Sequence, residues 1–280
     1  MNKIAKDIRN QRKRLLTLTR KQLSKLGMVK KPEFFIIGTQ KGGTTSLHKI
    51  LSKHSLLYGS STKELNFFNS RVFENSKAED YHKYFPLKWA IPSGSLSFES
   101  SPAYLFNKDA PGRIFNYNPK SKLIVTLREP AERALSAWIM YHHHFKNQPK
   151  QSWINDKRPF AEAIREEMNF LDQDLDPKFH LGYVSRGLYF VQLQRYLNYF
   201  NQDQILVIES SSLRSNHDET MRAIQSFLGV PYEKLEPEKI NSSRVKKGND
   251  EYNEALAELR EFFKPHNEQL FDLLGVRYDW

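Results

Sequence analysis

Phe34-Phe35-Ile36-Ile37-Gly38-Thr39-Gln40-Lys41-Gly42-Gly43-Thr44-Thr45-Ser46 decides the fold, because a short apolar run, a glycine-rich turn and a hydroxyl-rich segment follow one another without interruption. The apolar run reads as a buried strand and residues 44–54 as the helix behind it. Glycines let a turn bend until successive N–H groups face one concavity, and the helix N-terminus adds a positive dipole end. The segment is a phosphate cradle with Gly42, Gly43, Thr44, Thr45 and Ser46 as binding candidates. In a nucleoside triphosphatase loop, G-x-x-x-x-G-K-[ST], the second glycine would be followed by lysine. Here Gly43 arrives on schedule from Gly38, but Thr44 follows it and the lysine stands earlier, at Lys41. Such enzymes commonly hold magnesium with an Asp at the end of another strand. The strongest later strand, Leu123 to Leu127, runs instead into Arg128, a cation suited to phosphate.

Outward from this loop, short apolar runs alternate with amphipathic stretches, the pattern of an α/β fold with a mostly parallel sheet. Strands are expected at Phe34–Ile37, Leu56–Tyr58, Leu96–Phe98, Leu123–Leu127 and Ile205–Ile208, and helices at 44–54, 131–146, 160–170, 187–200, 217–228 and 251–274. Pro130 and Gly229 are start and stop signals. The expected architecture is a P-loop-like three-layer fold, a central parallel sheet of about five strands flanked by helices, with ligand at the C-terminal strand ends.

The net charge is +11, but residues 1–31 hold eleven Lys/Arg against the single acid Asp7, so the remaining body is nearly neutral. This divides the chain into a basic amphipathic arm, 1–31, and a catalytic domain, 32–280. Ile4, Ile8, Leu15, Leu18, Leu23 and Leu26 recur in the arm at near-helical spacing up to Gly27, which suits an anionic membrane surface, a transit peptide or a solvated helix. The arm's charge says nothing about the chemistry of the body, and no nucleic-acid partner is expected. Cysteine is absent, which excludes disulfides, thiolate zinc sites and a cysteine nucleophile. With no apolar signal core or membrane span in the sequence, the expectation is a cytoplasmic protein, peripheral to a membrane at most.

The loop together with Lys122-Leu123-Ile124-Val125-Thr126-Leu127-Arg128-Glu129-Pro130-Ala131-Glu132-Arg133-Ala134-Leu135-Ser136 resembles the two nucleotide motifs of sulfotransferases that use 3′-phosphoadenosine 5′-phosphosulfate (PAPS). Within that family the likeness is nearest to the heparan-sulfate-type N- and 3-O-sulfotransferases and their bacterial relatives. It is carried by Lys63-Glu64-Leu65-Asn66-Phe67-Phe68, Glu99-Ser100-Ser101-Pro102-Ala103-Tyr104, Gly187-Leu188-Tyr189, Lys246-Lys247-Gly248 and Pro265-His266-Asn267. The resemblance implies that residues 41–46 hold the 5′-phosphosulfate, that Arg128 and Ser136 hold the 3′-phosphate, and that Lys247 and Gly248 close over it, with Lys246 or Arg244 as substitutes for Lys247. Ser100 departs from a lysine common in heparan-sulfate enzymes, and Asn66 and Asn69 from His and Asp, so acceptor contacts do not carry over.

Sulfuryl transfer, like phosphoryl transfer, asks mainly for positioning and charge stabilisation. Lys41 suits the bridging oxygen, where negative charge grows as the S–O bond breaks. Glu64 is the candidate general base, resting mainly on the resemblance, with a surface ion pair to Lys63 as its other reading. No metal is required, and the product is adenosine 3′,5′-bisphosphate. The acceptor is expected to be a hydroxyl or amine, on a glycan or glycoconjugate. Arg186 and Tyr189 line a pocket or pack in the core, and Tyr81, Tyr84, Phe85 and Trp89 stack on sugar or pack a loop. His142, His143 and His144 point in different directions on one helix and cannot converge on a metal. His48 and His54 read as structural or solvated. Two other functions stay open: a magnesium–ATP kinase on the same loop, and a polyanion- or membrane-binding protein acting through the arm.

Overall fold

The computed structural model describes residues 18–71, 73–144, 155–172, 181–238 and 252–280. Five strands, β1 (Phe34–Gly38), β2 (Leu57–Gly59), β3 (Leu96–Ser100), β4 (Lys122–Leu127) and β5 (Ile205–Glu209), form one sheet in the order β2-β3-β1-β4-β5. Every pairing is parallel, as the apolar runs lead one to expect. The helices are α1 (Thr44–Leu51), α2 (Ala78–His82), α3 (Ala110–Tyr117), α4 (Pro130–Ile139), α5 (Phe160–Asp172), α6 (Tyr189–Leu197), α7 (Ser212–Ser215), α8 (His217–Leu228) and α9 (Asn253–Leu274).

Side chains alternate across β1, and this produces the layers. Phe34 and Ile36 pack with Leu47, Ile50, Ile124, Ile224 and Leu228, which brings α1 and α8 onto one face. Phe35 and Ile37 pack on the other with Phe68, Tyr104, Leu123, Val125, Tyr189 and Tyr196. A third cluster joins α4, α5 and α9 through Ala134, Trp138, Ile164, Leu259 and Phe263. From β1 the chain passes to β2 and β3 on one side, then to β4 and β5 on the other. The connections therefore diverge between β1 and β4, and a crevice at the C-terminal ends of those two strands is the favoured ligand position.

Besides ending the helix expected over 44–54 at Leu51, the structure modifies three expectations. The helix expected over 131–146 is α-helical only to Ile139 and turns π-helical over Met140–His144, while residues 145 and 146 lie outside the described ones. Its start is well marked, for Pro130 occupies the first turn and the Glu129 carboxylate accepts from Ala131 N and Glu132 N at 3.0 and 2.7 Å. Helix α3, like the short α2 and α7, was not among the expected helices; it carries Pro111 and Gly112, a pair of turn-forming composition. Proline is tolerated in a first turn, and Asn107 Oδ1 accepts from Asp109 N and Ala110 N there. Third, β3 runs past Phe98 through Glu99 and Ser100.

Of the arm, residues 18–25 are helical, Leu18 and Leu26 are exposed, and Lys21 pairs with Asp80 at 2.6 Å. Residues 1–17 lie outside the described ones. Val29 is buried in the core and bridges Leu87. Among the described residues, no helix is long and apolar enough to cross a membrane.

Candidate active site

The loop after β1 and the turn after β4 meet in the crevice. Thr39 N donates to Thr126 O at 2.8 Å and Thr126 Oγ1 to Gly38 O at 3.0 Å, fixing the two chains together at their C-terminal ends. A Cβ on Gly42 would stand 2.5 Å from the Thr126 carbonyl oxygen, so backbone occupies the space a side chain would need. Gly43, at φ 90, lies in the left-handed region, and the next residue opens α1. Thr44 and Ser46 are buried at the helix start and Thr45 is exposed. Lys41 sits at φ 69, a conformation that is costly for a residue with a Cβ and is held by the packed turn around it.

Lys41 is depressed below the usual lysine range, first by burial and then by Arg128 and Arg133, while Glu64 pulls the other way. Its Nζ lies 3.9 Å from Met140 Sδ at the π turn. Arg128 follows β4 directly, and its guanidinium pairs with Glu132 at 2.9 Å in a half-exposed position. The turn is held by Tyr189, buried on α6, whose hydroxyl donates to Arg128 O at 2.9 Å. Ser136 is buried two turns along α4. The structure thus brings Lys41, Arg128 and the glycine turn to one end of the sheet, with Ser136 on the helix that follows Arg128. Lys247 and Gly248 lie outside the described residues, as do Arg244 and Lys246.

Two further recessed cations stand near the site: Arg186, which the sequence left between pocket and core, and Arg133, to which it gave no role. Arg133 is fully buried on α4; Nη2 donates to the carbonyls of Gly182 and Tyr183, whereas Nε and Nη1 have no hydrogen-bond partner. Burial holds its pKa below the usual arginine range. Arg186 stacks on Phe106, 4.5 Å from its ring centroid, and burial lowers its pKa to about 10. An excess of recessed positive charge beside a cradle of backbone N–H groups favours an anion with more than one charged group. The Arg133 signal was its place in the Arg128–Ser136 motif, but a charge on an otherwise apolar helix face reads as solvated.

The segment carrying Arg186 is itself held by a buried carboxylate. Glu167 on α5 accepts from Tyr183 N, Val184 N and Ser185 N at 2.6, 3.0 and 2.8 Å, and from Ser185 Oγ at 2.6 Å. Glu167→Ala leaves these buried donors unmet, and the expected loss is about 3 kcal/mol of stability. Urea unfolding monitored by tryptophan fluorescence measures it.

Glu64 emerges beyond β2 with an exposed carboxylate, 2.5 Å from Lys63 Nζ, and is close enough to Lys41 to favour its charge. Tyr81 and Phe85 are buried in the core, which removes them from sugar stacking; Tyr84 is partly buried against that core, and Trp89 is 61% exposed. His54 is structural, contacting Pro231 O through Nε2 and accepting from Leu56 N through Nδ1. His48 packs on Phe98 with Nδ1 unpartnered, and burial followed by the charge of Lys63 lowers its pKa to about 4. His142 stacks on Trp138 at 4.4 Å.

A family model described as a sulfotransferase domain matches residues 31–267. The chain is 33% identical over 204 residues to the bifunctional heparan sulfate N-deacetylase/N-sulfotransferase 4 of Mus musculus, covering 71% of this chain and 22% of that protein. It is 31% identical to enzyme 1 of the same name from Xenopus laevis, covering 87% of this chain and 30% of that one. Its match to the heparan sulfate glucosamine 3-O-sulfotransferase 5 of Homo sapiens is 25% identical and covers 89% and 74%. Among solved structures, a sulfotransferase from Alicyclobacillus acidocaldarius superposes with a TM-score of 0.68 at 24% identity over 89% of this chain and 98% of that one, sharing the fold.

Proposed function

Because the chain belongs to the sulfotransferase domain family, we propose that it moves the sulfuryl group of PAPS to a hydroxyl or amine of a carbohydrate. The observation that carries this reading is the meeting of the glycine turn, Lys41 and Arg128 where the β1 and β4 connections diverge. The cradle at Gly42, which admits no Cβ, and the unpartnered N–H groups of Arg133 fit a ligand with two phosphate-bearing ends. The donor supplies the sulfuryl group and a phosphate leaving group. Of the backbone N–H groups expected over residues 42–45, that of Gly42 is given to Thr39 O, so those of residues 43–45 with the hydroxyls of Thr44, Thr45 and Ser46 hold the 5′ end, and Arg128 with Ser136 holds the 3′-phosphate after Arg128 exchanges Glu132 for it. Lys247 and Gly248 are assigned to the same phosphate. Glu64 takes the proton of the attacking O–H or N–H, and Lys41 meets the electron pair left on the bridging oxygen. A glucosamine-containing acceptor is favoured by the likeness to heparan sulfate N- and 3-O-sulfotransferases. The basic arm is assigned to an anionic surface and not to turnover.

Calorimetric titration with adenosine 3′,5′-bisphosphate, with and without EDTA, tests the site. Binding is expected to persist in EDTA and to weaken by about 30- to 100-fold in Arg128→Ala, the loss of a charge-assisted bidentate contact. Failure of the folded protein to bind it, with magnesium-dependent binding of ATP instead, overturns the reading in favour of the kinase. Turnover is measured with labelled PAPS on an oligosaccharide presenting free glucosamine amino and hydroxyl groups.

A further inference from the structure

Residues 64–68 bring Glu64 to the crevice in an uncommon backbone conformation. Glu64 at φ 60 and Asn66 at φ 52 both lie in the left-handed region although neither is glycine. Asn66 tolerates this region and its Nδ2 donates to Glu64 O at 3.0 Å, whereas Glu64 gains from contacts outside the segment. Glu64 N donates to Ser100 O at 3.0 Å, Asn66 N to Ser101 Oγ at 3.1 Å, and Phe67 N to Tyr104 OH at 2.9 Å.

Behind these acceptors stands Glu99, wholly buried at the end of β3. Its carboxylate accepts from Ser101 Oγ at 2.5 Å, from Tyr104 OH at 2.8 and 3.1 Å, and from Tyr81 OH at 2.6 Å, and the Leu65 N–H faces it as well. Two hydroxyls therefore act as relays: each gives its proton to Glu99 and leaves its oxygen lone pairs to the backbone N–H of residue 66 or 67. Phe67, stacked on Tyr81 at 4.5 Å, ties the segment to the same network. A buried carboxylate would be costly without these donors, so network and charge require each other.

We propose that Glu99 is a positioning residue for Glu64: through Ser101 and Tyr104 it sets the backbone of residues 64–68 and so aims the Glu64 carboxylate into the crevice beside Lys41. This rests on the reading of Glu64 as the base. Glu99 touches neither donor nor acceptor and acts only through the segment it holds.

A double-mutant cycle tests it. Glu99→Gln keeps the shape but replaces one acceptor oxygen by a donor, which breaks the relay pattern. On the glucosamine oligosaccharide, kcat is expected to fall about 10- to 100-fold, as for a misplaced reacting group, with the affinity for adenosine 3′,5′-bisphosphate and the acceptor KM within about twofold of the parent. In a Glu64→Gln background the same substitution is expected to change kcat by less than about twofold. An equal loss in both backgrounds, or a parallel loss of nucleotide affinity, overturns the proposal and leaves Glu99 a supporter of the fold. Full turnover by Glu64→Gln alone defeats the base reading, and this proposal with it, in a separate measurement. Ser101→Ala keeps the carboxylate and removes one relay; it reads the same way if Glu99→Gln does not fold, and an unchanged kcat there overturns the proposal.

Discussion

Lys41→Ala is expected to lower kcat for sulfuryl transfer by about 10²- to 10³-fold while the protein keeps its fold and its affinity for adenosine 3′,5′-bisphosphate within about tenfold. The asymmetry follows from where the charge is needed. Arg128 and the backbone N–H groups are assigned to charge that the nucleotide carries before and after transfer, so removing them is expected to cost affinity. Lys41 is assigned to charge that grows on the bridging oxygen only as the S–O bond breaks, so its loss falls on the transition state. The sign of the pH dependence is also fixed. With burial, Arg128 and Arg133 all disfavouring its proton, Lys41 loses charge at a pH below the usual lysine range, and only the charged form meets the leaving oxygen. The single-turnover rate is therefore expected to be flat below the depressed pKa and to fall as pH rises through it, a fall absent from Lys41→Ala, while donor affinity changes little. Single-turnover rates and calorimetry across the alkaline range measure both. Loss of affinity without loss of kcat would move Lys41 from the transition state to ground-state binding.

The parts of this site that the sequence reveals are those built from backbone. Strand, glycine turn and helix start are adjacent in the chain, so Gly42 to Ser46 are found by reading one segment, and Arg128 is found because a strand with an obvious apolar run ends on it. The sheet follows from the same runs, the central ones, β3, β1 and β4, being buried on both faces and the edge strands β2 and β5 only in part. What sequence hides is the buried polar interior. Glu99 and Arg133 stand in segments whose charge suggests a strand end or a solvated helix face, yet both are fully buried, and the groups that make this tolerable come from distant segments: Tyr81 for Glu99, Gly182 and Tyr183 for Arg133. Helix α3 was hidden by a different cause, a Pro-Gly pair that is a turn signal by composition and a permitted first turn by geometry. Tyr189 shows how a core residue can still shape the site, since its ring packs in the core while its hydroxyl fixes the carbonyl of Arg128.

Glu64→Gln is expected to reduce kcat on the glucosamine oligosaccharide by about 10²- to 10⁴-fold, the usual contribution of a positioned general base. Unfolding stability and nucleotide affinity should barely move. The carboxylate is exposed and its near partner is Lys63, and an exposed ion pair of this kind contributes about 0–1 kcal/mol. That small figure separates the two readings of the residue. If the pair with Lys63 were the whole role of Glu64, then Lys63→Ala and Glu64→Gln would have equal and slight effects on every measurement. If Glu64 takes the acceptor's proton, the two diverge: Lys63→Ala leaves kcat within about threefold, whereas Glu64→Gln removes most of it. Glutamine retains the size of the side chain and one acceptor oxygen, so the loss measures proton removal and not packing. The acceptor adds a further discrimination. A hydroxyl keeps its proton at neutral pH and needs the base throughout, whereas an amine is attack-competent once neutral, so raising pH should restore N-sulfation in Glu64→Gln more than O-sulfation. Comparing the two rates in the variant as pH rises, on the same oligosaccharide, reports which atom the wild-type site sulfates.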